Sequence, residues 1–136
     1  MSRKIARESV YKLIFEFIFT GNANEYTFEI FMYDEELDDD DKEYVTTVYK
    51  GIVDNYTELA DYISKFAIGY SADRIIKADK AALLVALYEM KYMDNIPLSV
   101  SINEAVDLVK KYSTEKSSSF VNGILASIYK DIQGDK

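Results

Sequence analysis

The sequence contains no cysteine, no histidine and no tryptophan, and only one proline and five glycines among its 136 residues. Without cysteine, disulfide bonds and thiolate chemistry are excluded, which fits a reducing compartment such as the cytoplasm. Without histidine, imidazole catalysis and histidine-ligated metals are excluded as well. Because proline and glycine are scarce, few turns are available, and long helices are favoured over many short strands.

Long apolar runs and catalytic signatures are also missing. No apolar stretch approaches the length of about 18 residues that a membrane span needs, and the basic start lacks the apolar region of a signal peptide. There is no glycine-rich phosphate loop and no carboxylate pair marked out by apolar surroundings. The aspartates at 38–41 lack the spacing of a calcium loop. We therefore expect a non-enzymatic protein with no catalytic residue, no cofactor and no metal.

Negative charge is concentrated in one segment of the chain. The net charge is −8, yet residues 25–43 alone hold ten acids and one base, so the remainder is close to neutral. The first twelve residues carry a net charge of +3. Since a ligand responds to local charge rather than to the total, the acidic balance does not exclude nucleic acid.

Apolar periodicity predicts an all-α single domain of about seven helices. The spacing of Ile102, Ala105, Val106 and Val109 is typical of one buried helix face. The stretch 68–71 indicates a division between two packed helical sub-bundles, about 1–68 and 69–136. The first four predicted helices cover 3–19, 24–34, the region from the aspartates to Val53, and a segment opened by Asn55 or Thr57. The fifth covers 77–93, and the sixth begins either at Pro97 or at a Ser101–Glu104 capping box. The seventh runs from Ser117 or Ser118 to about Ile132.

Three segments carry residues that helix periodicity does not require. They are the basic opening at 3–8 (RKIARE), the stretch from Asp79 to Met90, and the region from Pro97 to Leu125, which includes INEAV at 102–106 and FVNGIL at 120–125. Gly123 costs a helix about 1 kcal/mol relative to alanine, which suggests a packing or contact reason. In order and spacing, the three segments resemble the NusB family of bacterial transcription antitermination factors.

The resemblance implies an adaptor without catalytic activity. Such a protein binds NusE, a small-subunit ribosomal protein, and the pair holds the boxA element of ribosomal RNA transcripts as a single strand. The complex joins RNA polymerase and suppresses premature termination. We expect a cytoplasmic monomer or weak homodimer that makes no membrane contact.

The basic opening is the first candidate RNA surface. Arg3, Lys4 and Arg7 lie within about one turn of helix and could neutralise successive phosphates. An ordinary solvated helix end would also account for them. However, the macrodipole disfavours cations at a helix N-terminus, and the resemblance implies that this opening holds RNA.

The start of the last helix is the second candidate RNA surface. Its free N–H groups, with Lys116, Ser117 and Ser119 nearby, could bind a phosphate. Phe120 could stack on an unpaired base or belong to the core, and Asn122 could read a base edge or satisfy the helix backbone.

The resemblance also implies that Phe15 and Asp79 contact NusE. A carboxylate at position 79 would stabilise a helix start whatever its other role. Departures from the family pattern at Ser2, Ile5, Ser119 and Ala126 predict weaker or more partner-dependent RNA binding. Two alternatives remain, namely an RNA-recognition domain related to those of ribosomal RNA methyltransferases and a helical adaptor that binds only protein. The chain ends without a nucleotide-binding βαβ unit, which speaks against the former.

Overall fold

A computed structural model describes residues 2–67 and 74–134, and within these ranges it contains seven helices and no strand. The prediction of an all-α fold with about seven helices is therefore confirmed. The helices are α1 (Ser2–Thr20), α2 (Glu25–Met32), α3 (Asp39–Asp54), α4 (Tyr56–Ser64), α5 (Lys77–Tyr92), α6 (Leu98–Tyr112) and α7 (Ser117–Gly134).

Helix α5 forms the centre of the molecule. Its residues 81–87 are all buried, and α1, α3, α4, α6 and α7 pack around it. A helix that is apolar on every side is stable in water only when neighbours cover all of its faces. The other helices each bury one stripe, which in α1 includes Ala6, Val10, Leu13 and Ile14.

The close approach of α3 to α5 depends on a missing side chain. A Cβ atom at Gly51 would overlap the ring of Tyr88, which packs against the core. Gly51 therefore has a packing function inside α3, and it offsets the entropic cost of glycine in a helix.

Two helix starts differ from the predicted capping. Helix α6 begins directly after Pro97, and the buried Ser101 hydroxyl donates a hydrogen bond to Glu89, so the Ser101–Glu104 capping box is wrong and the earlier start is right. In α7 the carbonyl of Lys116 accepts the bond from the Phe120 N–H, so Lys116 occupies the cap position predicted for Ser117 or Ser118.

The predicted division at 68–71 lies outside the described residues, so the two sub-bundles stay a prediction. In the part of the chain that the structure describes, no helix is both long enough and apolar enough to cross a membrane.

Candidate nucleic-acid interface

The three cations at the start of α1 lie together, but each of them meets a carboxylate from another helix. Arg3 donates from Nε to Asp41 Oδ1 at 2.8 Å, and its guanidinium lies 4.4 Å from the centre of the Tyr44 ring. Asp41 belongs to the first turn of α3, where the acidic segment ends. The basic opening is therefore partly neutralised, which the net charge of +3 over the first twelve residues did not reveal.

Lys4 is the most accessible of these cations. Its side chain is 63% exposed, and Nζ lies 3.3 Å from Glu104 and 3.6 Å from Asp107, both on α6. Exposed pairs of this kind contribute little stability and are screened by salt. Lys4 can therefore exchange its carboxylate partners for a phosphate at small cost.

Arg7 is buried and belongs to a polar network inside the helix bundle. It is 6% exposed, and its Nε and Nη2 donate to the two carboxylate oxygens of Glu89 at 2.7 and 3.2 Å. Glu89 is fully buried on α5 and also accepts hydrogen bonds from Tyr44 and from Ser101, the latter at 2.7 Å. The network joins α1, α3, α5 and α6.

Two members of the buried network, Arg7 and Tyr44, have raised pKa values. Burial by itself would lower the pKa of Arg7, but the hydrogen bonds and charge of Glu89 outweigh burial and raise it. Burial, and then the charge of Glu89, raises the pKa of Tyr44 well above its usual value. Arg7 commits two of its three guanidinium nitrogens to Glu89, so in this structure its side chain holds α1 in place.

A second group of ionic contacts joins α1 to α6 farther along. Glu8 accepts hydrogen bonds from Lys111 Nζ at 3.1 and 3.2 Å and from the Tyr112 hydroxyl, and Lys12 lies 3.6 Å away. Burial would raise the pKa of Glu8, but the hydrogen bonds from Tyr112 and Lys111 and the charges of Lys111 and Lys12 together outweigh burial and lower it. Glu8 therefore stays charged and links α6 to α1 at the surface.

The start of α7 presents an open polar strip. Lys116, Ser119 and Asn122 are exposed and follow one another at three-residue spacing, which places them on one helix face. Gly123 lies beside them, and no atom lies within 4 Å of the position that a Cβ would take. Packing does not explain Gly123, which leaves contact with a ligand as the reason suggested by the sequence.

Ser117 and Asp79 face inward and bind each other. Asp79 is 2% exposed at the start of α5, and its two oxygens accept hydrogen bonds from Ser113 at 2.6 Å and from Ser117 at 2.9 Å. These bonds tie the turn between α6 and α7 to α5. Both side chains are thus engaged in structure, although both residues were predicted to contact ligands.

A cleft of about 560 Å³ opens between the start of α5 and the start of α7. Half-buried Phe120 lines it, together with Ile75 and Ile76, and Lys116 lies at the same opening. This position gives Phe120 an apolar setting next to the polar strip. Phe15, in contrast, lies on α1 and is 39% exposed, which makes it the accessible member of the predicted protein contact.

The acidic partners Asp41, Glu89 and Glu104 were missed by the sequence analysis. A signal for one of them was present, because Arg7 lies three and seven residues before Val10 and Ile14, on the core stripe of α1. Glu89 likewise lies in the helix that is apolar all round. A cation and an anion in two buried helix faces predict a buried pair.

Among the described residues, no group of acidic side chains is arranged to hold a metal ion.

Comparisons with known proteins give one consistent family. A family model described as the NusB family matches residues 4–130. The transcription antitermination protein NusB of Acetivibrio thermocellus is 41% identical over 130 residues, which cover 96% of this chain and 90% of that protein.

Solved structures give the same result. The structure of T. maritima NusB superposes with a TM-score of 0.86 at 33% identity, and the match covers 96% of this chain and 92% of that chain. A chain from the crystal structure of the antitermination factors NusB and NusE in complex with dsRNA superposes with a TM-score of 0.84 at 27% identity, covering 96% and 97%.

Proposed function

Because this chain belongs to the NusB family of transcription antitermination proteins, we propose that it binds NusE and that the pair holds the boxA element of ribosomal RNA transcripts. The observation that carries this proposal is the full-length likeness to a chain from the solved complex of NusB, NusE and dsRNA. The family is one of transcription factors rather than enzymes. In the proposed role the complex joins RNA polymerase in the cytoplasm, and the protein acts as a monomer or weak homodimer.

The RNA surface that we propose has two parts. Arg3 and Lys4 at the start of α1 supply positive charge, and the strip of Lys116, Ser119 and Asn122 on α7 supplies charge and hydrogen-bonding groups. Half-buried Phe120 lies at the cleft beside this strip and is the aromatic side chain that we propose to stack on an unpaired base. Arg7 and Ser117 are buried, and their hydrogen bonds to Glu89 and Asp79 hold in place the helices that carry these two parts.

NusE contact is assigned to the middle of α1. Phe15 is exposed there, while the buried Asp79 fixes the α6–α7 turn beside the cleft. Each surface is modest by itself. When NusE and RNA are bound together, each raises the effective concentration of the other, and a weak RNA surface then suffices.

The test of RNA binding is a titration of a fluorescent boxA-like single strand with the protein, with and without NusE, across salt concentrations. Affinity should fall with salt, because released counterions drive phosphate contacts. Lys4→Ala and Lys116→Ala should each weaken binding and reduce the salt slope by about 0.7. Lys130→Ala, an equal charge change at an exposed position near the end of α7, is the matched control.

A double-stranded version of the same sequence decides which form of RNA is preferred. A clear preference for the single strand supports base stacking on Phe120, while equal binding of the duplex would contradict that part of the proposal. If neither form binds in the presence of NusE, the RNA function is wrong. The chain would then be a protein-only adaptor, which the pairing of its cations with carboxylates also favours.

The protein contact is tested separately. Phe15→Ala should weaken capture of NusE while leaving the RNA affinity of the isolated protein unchanged, since it removes apolar contact area and no charge. Tyr26→Ala, which truncates a more exposed aromatic side chain on α2, serves as the control. Full retention of NusE by Phe15→Ala would exclude the assignment.

A further inference from the structure

The contact between Arg3 and Asp41 places a carboxylate where the proposed RNA site needs positive charge. The Arg3 side chain is 36% exposed and can be approached from solvent, whereas the Asp41 side chain is 4% exposed. Their 2.8 Å separation is a charge-assisted hydrogen bond. A phosphate that approaches Arg3 therefore meets a negative charge already in contact with the guanidinium.

Asp41 is held more rigidly than Arg3. It lies in the first turn of α3, and its backbone N–H donates to the capping side chain of Asp38 at 2.8 Å. Tyr44, three residues later on α3, also contacts the guanidinium through its ring. RNA thus cannot easily push the carboxylate away, and either Arg3 turns toward the phosphate or the phosphate binds beside Asp41.

The negative charge at the start of α3 does not come from Asp41 alone. Asp39 and Asp40, both exposed in the same turn, already place negative charge at the positive end of the helix dipole. Asp41 differs from these neighbours in that it is buried and contacts Arg3. The geometry therefore allows a function that concerns Arg3 rather than α3.

We propose that Asp41 is an internal competitor for phosphate at Arg3 and that it limits the RNA affinity of the protein. This inference rests on the proposed RNA function and names a residue that sets the strength of the RNA site. A consequence is that RNA binds weakly to the isolated protein, so that tight binding requires NusE to contribute.

Binding of the fluorescent boxA-like strand by Asp41→Asn, compared with wild type, tests the proposal. Asparagine keeps the shape and a hydrogen-bond acceptor for Arg3 but removes the charge. We expect a gain in affinity of about two- to fivefold, the size of a partly exposed ion pair. Asp39→Asn changes the net charge equally in the same helical turn without touching Arg3, so its smaller gain measures the general electrostatic effect.

The double variant Arg3→Gln/Asp41→Asn locates the effect. If Asp41 acts through Arg3, removal of its charge in the Arg3→Gln background should yield no more than the gain seen with Asp39→Asn. Circular dichroism and thermal melting verify that each variant is folded. Should Asp41→Asn not fold, Asp41→Ser gives a second neutral side chain that suits a helix start.

The outcomes separate the two proposals. If the wild type binds RNA but Asp41→Asn gains no more affinity than Asp39→Asn, the role of Asp41 is overturned and the RNA function stands. The same conclusion follows if the gain in affinity persists when Arg3 is replaced by glutamine. Absence of RNA binding in every variant, even with NusE present, would overturn both. A gain in Asp41→Asn that exceeds the control and disappears in Arg3→Gln supports the inference.

Discussion

Replacement of Arg7 by methionine should destabilise the fold much more than the loss of a surface cation would. Methionine keeps the apolar stem and removes the guanidinium, so it leaves the fully buried Glu89 with the hydroxyls of Tyr44 and Ser101 as its remaining partners. Breaking a buried ion pair in this way costs about 3–5 kcal/mol, because one charge stays in the interior uncompensated.

The expected shift in melting temperature follows from the size of the chain. An unfolding entropy of about 2.1 cal/mol/K per residue amounts to about 0.3 kcal/mol/K for 136 residues. The loss of about 3–5 kcal/mol then lowers the melting temperature by about 10–17 °C. Urea unfolding should show a lower midpoint with an unchanged slope, since the surface exposed on unfolding hardly changes.

Two further variants isolate the buried charge as the cause. Lys4→Ala removes an exposed cation from the same end of α1 and should cost less than about 1 kcal/mol. Arg7→Met/Glu89→Gln removes both charges and should recover more than half of the loss. The glutamine carbonyl accepts from one of the two hydroxyls, and its NH2 group can donate to the other, since a hydroxyl also accepts. If the single variant melts within 2 °C of wild type, or the double variant recovers nothing, the reasoning is refuted.

This result also governs how an RNA experiment on Arg7 must be designed. A loss of RNA affinity in Arg7→Met is informative only well below its melting transition, where α1 is still packed. There, a loss equal to that of Lys4→Ala would indicate direct phosphate contact, as the sequence predicts. Retained affinity would restrict Arg7 to positioning α1.

Three other predictions concern single side chains. Gly51→Ala should destabilise the otherwise wild-type protein, because the new Cβ overlaps the ring of Tyr88. In a Tyr88→Ala background the same substitution should stabilise the protein by about 1 kcal/mol. Equal effects of Gly51→Ala on urea unfolding in both backgrounds would contradict the contact. Gly123→Ala should raise the unfolding free energy by about 1 kcal/mol, since the site is open, and a fall would show hidden packing. Burial, and then the charge of Asp79, raises the pKa of Tyr11 to about 12 from 10. The neutral Tyr11 hydroxyl therefore contributes its full share of the folding stability below pH 10, and this share is lost as pH rises toward 12. In melts at alkaline pH, Tyr11→Phe should lose less stability than wild type across that range.

The positions of the helices were predictable because apolar spacing alone defines a buried face. The all-apolar stretch 81–87 indicated the central helix, and the structure places α5 there. Helix starts were less predictable where serine has competing partners. Ser101 and Ser117 each had the right chemistry for a cap, but both hydroxyls bond to buried carboxylates on α5 instead. Such partners are 12 and 38 residues away, beyond the range of local patterns.

The charge of the basic opening was harder to judge, since the acids that pair with it come from α3, α5 and α6. Asp41, Glu89 and Glu104 lie between 38 and 100 residues along the chain from the cations they meet, and only the tertiary fold brings them together. Counting charge over the first twelve residues therefore overstated the field near α1. Local sequence predicted where RNA could bind but not how strongly.

An upper bound on the RNA contribution of this chain follows from the same contacts. Arg3, Lys4 and Lys116 are the cations of the two proposed surfaces that solvent reaches, while Arg7 is buried. With about 0.7 counterions released for each phosphate of a single strand, three contacts give a salt slope of about 2. A steeper slope measured for the complex with NusE would have to come from cations outside the two proposed surfaces, on NusE or elsewhere on this chain.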